Sequence, residues 1–122
     1  RGMHFQAMPH AQGKLVRTIA GAVWDVAVDV RPESKTLGKW VGVELTGENR
    51  NALWVPPGFA HGFVVLSDGA HFVYKCTQPY NPDAERGFRW NDSAVGIRWP
   101  EQDVCLSKRD AMLPAFEKLS FS

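Results

Sequence analysis

The chain has 122 residues, which suits one domain, with 44% apolar and 22% charged residues, near the soluble average. A formal net charge of +1 and the lack of any Lys/Arg run argue against a nucleic-acid footprint. No apolar stretch is long enough to span a bilayer as a helix, and no signal-peptide pattern opens the chain.

The first stretch, "RGMHFQ", sets Arg1 and His4 on either side of Gly2 and Met3. On a strand they face opposite sides, so pointing both into one cavity needs a bend or bulge near Gly2. Residues 14–30 alternate with period two. After Gly21, Trp24, Val26, Val28 and Val30 fall on one face, with Val23, Asp25, Ala27 and Asp29 on the other. With a turn signal between the two runs, this predicts a β-hairpin. "RPESKTLGKW" reads as a loop, "KWVGVEL" as a strand and "TGENRN" as a turn. "ALWVPP" is a short strand stopped by Pro56 and Pro57, because proline cannot donate to a ladder. "GFAHGFVVLSDGAHFVYKCT" holds two strands around Ser67-Asp68-Gly69, and "QPYNPDAERG" is a loop. "FRWND" and "VGIRWP" read as short strands or extended segments. Only "SKRDAMLPAFEKL" has a helical flavour, interrupted by Pro114.

About seven strands at regular spacing with Gly/Pro turns predict an all-β fold: a cupin-like jelly-roll barrel with a short helical C-terminal segment. Such barrels hold a ligand in their mouth, marked by inward polar residues. Asp25 lies mid-strand among valines. It is either on a solvated face or an inward carboxylate orienting a histidine. His61 in "PPGFAHGF" is either a structural core histidine or a residue at a site where glycines admit a ligand. Tyr74 and Tyr80 are either packing residues or site residues. His4, His10, His61 and His71 are scattered with no HxH pair, so no metal centre is expected. Cys76 and Cys105 form no CxxC pair and read as reduced cytosolic thiols.

Several segments together resemble the dTDP-4-dehydrorhamnose 3,5-epimerase family. They are "RGMHFQ", "QGKLVRTIAGAVWDVAVDVR", "GKWVGVEL", "LWVPPGFAHGFVVLSD", "YKCTQPYNPDAERGFRWND", "GIRWP" and "LSKRDAMLP", in order and nearly end to end. Met3 stands where the family usually has Leu, and Pro79 where it often has a tyrosine beside Tyr80. The resemblance implies a cofactor-free and metal-free cytoplasmic isomerase, usually a homodimer. Its substrate would be dTDP-4-dehydro-6-deoxyglucose and its product would feed dTDP-L-rhamnose synthesis. By the same resemblance His4 is the base and Asp110 its orienting carboxylate. A neighbouring carboxylate is expected to favour the imidazolium and strengthen the base. Lys14 would lie near the ketone oxygen and Tyr74 would be the acid. Asp25 and His61 would form a second pair, Arg1 with His61 would contact diphosphate, and Tyr80 would stack on thymine. Family members carry a segment ahead of "RGxH". The expectation is therefore a single cupin-like epimerase domain over residues 1–122 that lacks it. A mono-epimerase of a related deoxysugar nucleotide would use the same residues. A catalytically silent sugar-nucleotide-binding domain is the reading from another class.

Overall fold

The computed structural model describes residues 1–119 and residue 121. Among the described residues, eight strands form two antiparallel sheets. They are β1 (His4–Gln6), β2 (Lys14–Ala20), β3 (Ala22–Asp29), β4 (Trp40–Thr46), β5 (Ala52–Val55), β6 (Phe59–Val65), β7 (His71–Cys76) and β8 (Glu85–Gly87). One sheet has the order β4-β3-β6-β1-β8 and the other β5-β2-β7. A four-residue helix, α1 (Lys108–Ala111), and a 3-10 turn at Phe116–Lys118 lie on either side of Pro114, where the sequence suggested an interrupted helix.

The strands predicted between Lys14 and Cys76 form, but the expected hairpin at residues 14–30 does not. β2 pairs with β5 and β7, whereas β3 pairs with β4 and β6. Gly21, with φ +83°, carries the chain from one sheet to the other at a corner. A Cβ there would lie 2.8 Å from Ser67 Oγ, so the corner is closed against the β6–β7 turn. Alternation shows which residues share a face, but not which strand lies alongside. The "ERG" of the predicted loop is β8, an edge strand paired with β1. At three residues it is too short to carry a period. "FRWND" and "VGIRWP" are turns and irregular chain.

β3 lies inside its sheet, between β4 and β6, and both its faces are covered. Val26, Val28 and Val30 join Met3, Phe5, Ala60, Phe88, Val95 and Trp99 in the main core. Trp24 packs edge-on to Trp40 and Trp99, so the irregular chain after β8 roofs this face. Each such buried side chain contributes about 1.5–3 kcal/mol. The opposite face carries Asp25 and looks toward the three-stranded sheet, where Val16 and Thr18 are fully buried. Contacts of Phe72 on β7 with Phe63 and His61 on β6 tie the sheets together at this inner face.

Candidate active site

The amino-terminal stretch reaches the inner face by a close backbone approach. Gly2 has φ +124°, and a Cβ there would lie 2.7 Å from Gly62 Cα. Only glycine fits both the conformation and the space. β1 begins after this bend, at His4. The alternation rule therefore does not extend back to Arg1, and Arg1 and His4 line the same cavity. His4 then stands opposite His61 in the β1–β6 register.

The cavity lies between the two sheets and has a volume of about 400 Å³. One wall carries His4, Gln6, His61 and Phe63. The other carries Lys14, Tyr74 and Cys76, with Arg1, Tyr80 and Glu85 at the margins. Lys14 faces Cys76 in the β2–β7 register, and its Nζ sits 5.9 Å from the centre of the Tyr74 ring.

Two His–carboxylate pairs stand behind this wall. Nε2 of His4 is 2.6 Å from Asp110 Oδ1, and both side chains are nearly buried. The other oxygen of Asp110 accepts from the Gly2 N–H at 3.1 Å. α1 delivers Asp110: the Ser107 hydroxyl caps the helix by accepting from the Asp110 N–H. Nδ1 of His4 has no aligned hydrogen-bond partner and lies 3.3 Å from Glu85 Oε1. In the second pair, Nε2 of His61 is 2.7 Å from Oδ1 of Asp25, whose side chain is fully buried. The mid-strand aspartate is thus an inward, histidine-paired carboxylate, not a solvated one. His61 also stacks on Phe72 with ring centres 6.2 Å apart.

Burial lowers the pKa of His4, and this outweighs the opposing pull of Asp110 and Glu85. Asp110 favours the imidazolium as expected, but the net shift is downward. Desolvation of the ring costs more than the ion pair returns. The outcome still suits a base, because a lowered pKa favours the unprotonated ring. Burial likewise lowers the pKa of Lys14. Burial opposes ionisation of Asp110, but the Gly2 N–H and the His4 ring more than offset it and hold its carboxyl below the usual range. Glu85 behaves the same way, held down by hydrogen bonds from Tyr80 and Arg109.

Of the eight residues singled out in the sequence, six line the cavity: Arg1, His4, Lys14, His61, Tyr74 and Tyr80. Asp25 and Asp110 stand one layer back, each holding a histidine. Tyr80 is mostly exposed and donates to Glu85 Oε2 at 2.7 Å. Arg109 reaches the same oxygen at 2.6 Å. Sequence reasoning missed Glu85 and Gln6. Glu85 falls in a stretch that reads as a loop, and Gln6 ends the "RGMHFQ" stretch. A period-two count from His4 would have put Gln6 on the cavity face. Cys76 and Cys105 are unbridged. Among the described residues, no group of three His, Cys, Asp or Glu side chains is arranged to hold a metal ion.

The family model of dTDP-4-dehydrorhamnose 3,5-epimerase matches residues 1–118. A Shigella flexneri protein of that name is 56% identical over 110 residues, which cover 90% of this chain and 61% of the relative. The crystal structure of a dTDP-4-dehydrorhamnose 3,5-epimerase from Elizabethkingia anophelis superposes with a TM-score of 0.94 at 50% identity. That match covers 96% of this chain and 65% of that one. A Legionella pneumophila dTDP-6-deoxy-D-glucose-3,5-epimerase, solved in complex with dTDP-4-keto-L-rhamnose, gives a TM-score of 0.93 at 49% identity. There the coverage is 97% of this chain and 63% of that one. The chain thus spans a little under two thirds of the length of these relatives. Their cupin-like fold is the two-sheet arrangement described above, as the sequence led us to expect. With the family model matched across nearly every residue, and the same fold at this level of identity, the chain belongs to the dTDP-4-dehydrorhamnose 3,5-epimerase family.

Proposed function

We propose that this protein epimerises dTDP-4-dehydro-6-deoxyglucose at C3 and C5, giving dTDP-4-dehydro-L-rhamnose for dTDP-L-rhamnose synthesis. The observation that carries this reading is the placement of a buried, carboxylate-held imidazole and a phenol on opposite walls of one cavity, with an ammonium beside the phenol. C3 and C5 flank the C4 ketone, so loss of either proton gives an enolate. Such chemistry needs a base, a partner for the developing oxyanion, and an acid on the far face.

In this mechanism the His4 ring takes the proton from carbon. The C–H electron pair moves into the new C=C bond, and the carbonyl pair moves onto the C4 oxygen. Lys14 offsets that negative charge. Tyr74 returns a proton to the opposite face, and the carbonyl re-forms. The proton on His4 and the vacancy on Tyr74 then re-equilibrate with solvent. Asp110 holds the ring in one tautomer and stabilises the imidazolium as it forms. His61 with Asp25, and Arg1 at the margin, are the proposed contacts to the sugar and diphosphate. Tyr80 is the proposed stacking partner of thymine. No cofactor or metal enters the scheme.

The domain is proposed to act as a homodimer in the cytoplasm. Leu15, Ile19 and Trp54 stand about half exposed on the outer face of the three-stranded sheet, an apolar surface that favours a partner. The two free thiols favour a reducing compartment. Among the described residues, no helix is long and apolar enough to cross a membrane.

The test is mass spectrometry of the substrate after incubation with the protein in deuterated water, with chelator present. Two deuterium atoms per sugar are expected. One would move the assignment to a mono-epimerase. None, with the nucleotide sugar still bound, would overturn the mechanism in favour of a binding domain.

A further inference from the structure

The catalytic scheme leaves one buried polar residue of the cavity unused. Gln6 lies two residues beyond His4 on the same face of β1 and is only 6% exposed. Its amide makes three hydrogen bonds, all to backbone in two loops. Nε2 donates to His10 O at 2.7 Å in the β1–β2 loop, and to Pro79 O at 3.3 Å in the β7–β8 loop. Oε1 accepts from the Asn81 N–H at 2.9 Å. The orientation of the amide is determined, because a flip would set its oxygen against two carbonyls and its NH2 against an N–H.

We propose that Gln6 is a positioning residue that clamps these two loops together and so sets the nucleotide end of the cavity; this rests on the epimerase reading above. The loops carry Gln12 and Tyr80, both of which line the cavity. At their β2–β7 ends the loops are already joined by the Gly13–Thr77 and Gln12–Gln78 bonds. At the other end, the β1–β8 ladder stops at the Gln6–Glu85 pair, followed by one backbone bond between the loops, from the Ala7 N–H to Ala84 O at 2.8 Å. Beyond that point the Gln6 side chain bridges from one loop to the other. An apolar side chain would fill the same space. Only a primary amide supplies two donors and an acceptor at once, to partners on both loops. Gln6 makes no hydrogen bond to His4 or Asp110, so its effect is confined to where the loops stand, not to proton transfer.

The test compares wild-type protein with Gln6→Leu and Gln6→Glu. The readouts are dTDP affinity by calorimetry, KM and kcat for the sugar nucleotide, and the pH profile of kcat. Losing the clamp is expected to raise both the dTDP Kd and KM by about tenfold, as the loss of one or two net hydrogen bonds would. The value of kcat should stay within about threefold and its acidic limb should not move. Backbone exchange at the Asn81 N–H should speed up in Gln6→Leu. Gln6→Glu keeps length and the acceptor for Asn81 but turns an oxygen toward two carbonyls, and it stands in if Gln6→Leu does not fold. Unchanged dTDP affinity and KM would overturn the proposal. So would a fall in kcat with a moved pH limb, which would place Gln6 in the proton-transfer apparatus. Wild-type protein that binds dTDP but exchanges no sugar protons would overturn the epimerase reading alone, and dTDP affinity would then decide the role of Gln6.

Discussion

Replacing Asp110 with asparagine tests the mechanism at its least obvious residue. The Asp110 carboxylate accepts two buried hydrogen bonds, one from His4 and one from the Gly2 N–H. An asparagine has one oxygen and one NH2 for these two places. If the oxygen stays with His4, the NH2 meets the Gly2 N–H, and a buried donor goes unmet at a cost of about 1–3 kcal/mol. If the amide turns over, the Gly2 bond survives and the NH2 donates to His4 Nε2. The ring proton must then sit on Nδ1, beside Glu85. The second arrangement is cheaper, so the ring is held in the wrong tautomer and its cation loses a partner. By analogy with other His–Asp pairs, kcat should fall on the order of 10³- to 10⁴-fold. That is about 4–5.5 kcal/mol in the barrier. KM should stay within about threefold, because Asp110 does not line the cavity. Single-turnover deuterium incorporation reads the chemical step directly, and thermal melting checks that the variant is folded. A folded Asp110→Asn protein with kcat within tenfold of wild type would refute the argument.

Three further outcomes follow from the same geometry. The base must be neutral to act, and burial lowers the pKa of His4 below the ordinary imidazole value. Activity should therefore be level down to mildly acidic pH and fall only as pH drops through that lowered value. Glu85→Gln removes a charge that favours the imidazolium, so the acidic limb of kcat/KM should move to still lower pH; a limb above pH 7 in the wild type, or an upward move in the variant, would contradict the assignment. Gly62→Ala places a Cβ against Met3 Sδ and 2.7 Å from Arg1 O, so the amino-terminal stretch must shift. The expected cost is about 1–3 kcal/mol of stability, read in a denaturant melt, and an unchanged midpoint would show that the close approach of the two glycines is not needed.

The strands of this protein are written in its local sequence, and so is the oddity of Asp25. Alternation from Leu15 to Val30 placed Asp25 opposite the valines, because side chains on a strand alternate faces wherever the strand lies. Proline and glycine marked the ends of β5 and the turn after β6 in the same local way. The resemblance in "RGMHFQ", "GKLVR" and "SKRDA" named His4, Lys14 and Asp110, but not their geometry.

Tertiary structure decided the rest. Whether β2 and β3 pair with each other or separate into two sheets depends on what lies beside them, and local alternation is the same in both cases. β8 forms because β1 offers an edge, not because three residues prefer to be extended. His4 and Asp110 are 106 positions apart, and their 2.6 Å contact exists only because α1 packs against the bend at Gly2. The net direction of the His4 pKa shift was decided in the same way. A carboxylate neighbour can be inferred from residue types, but the desolvation that outweighs it is set by everything that covers the ring.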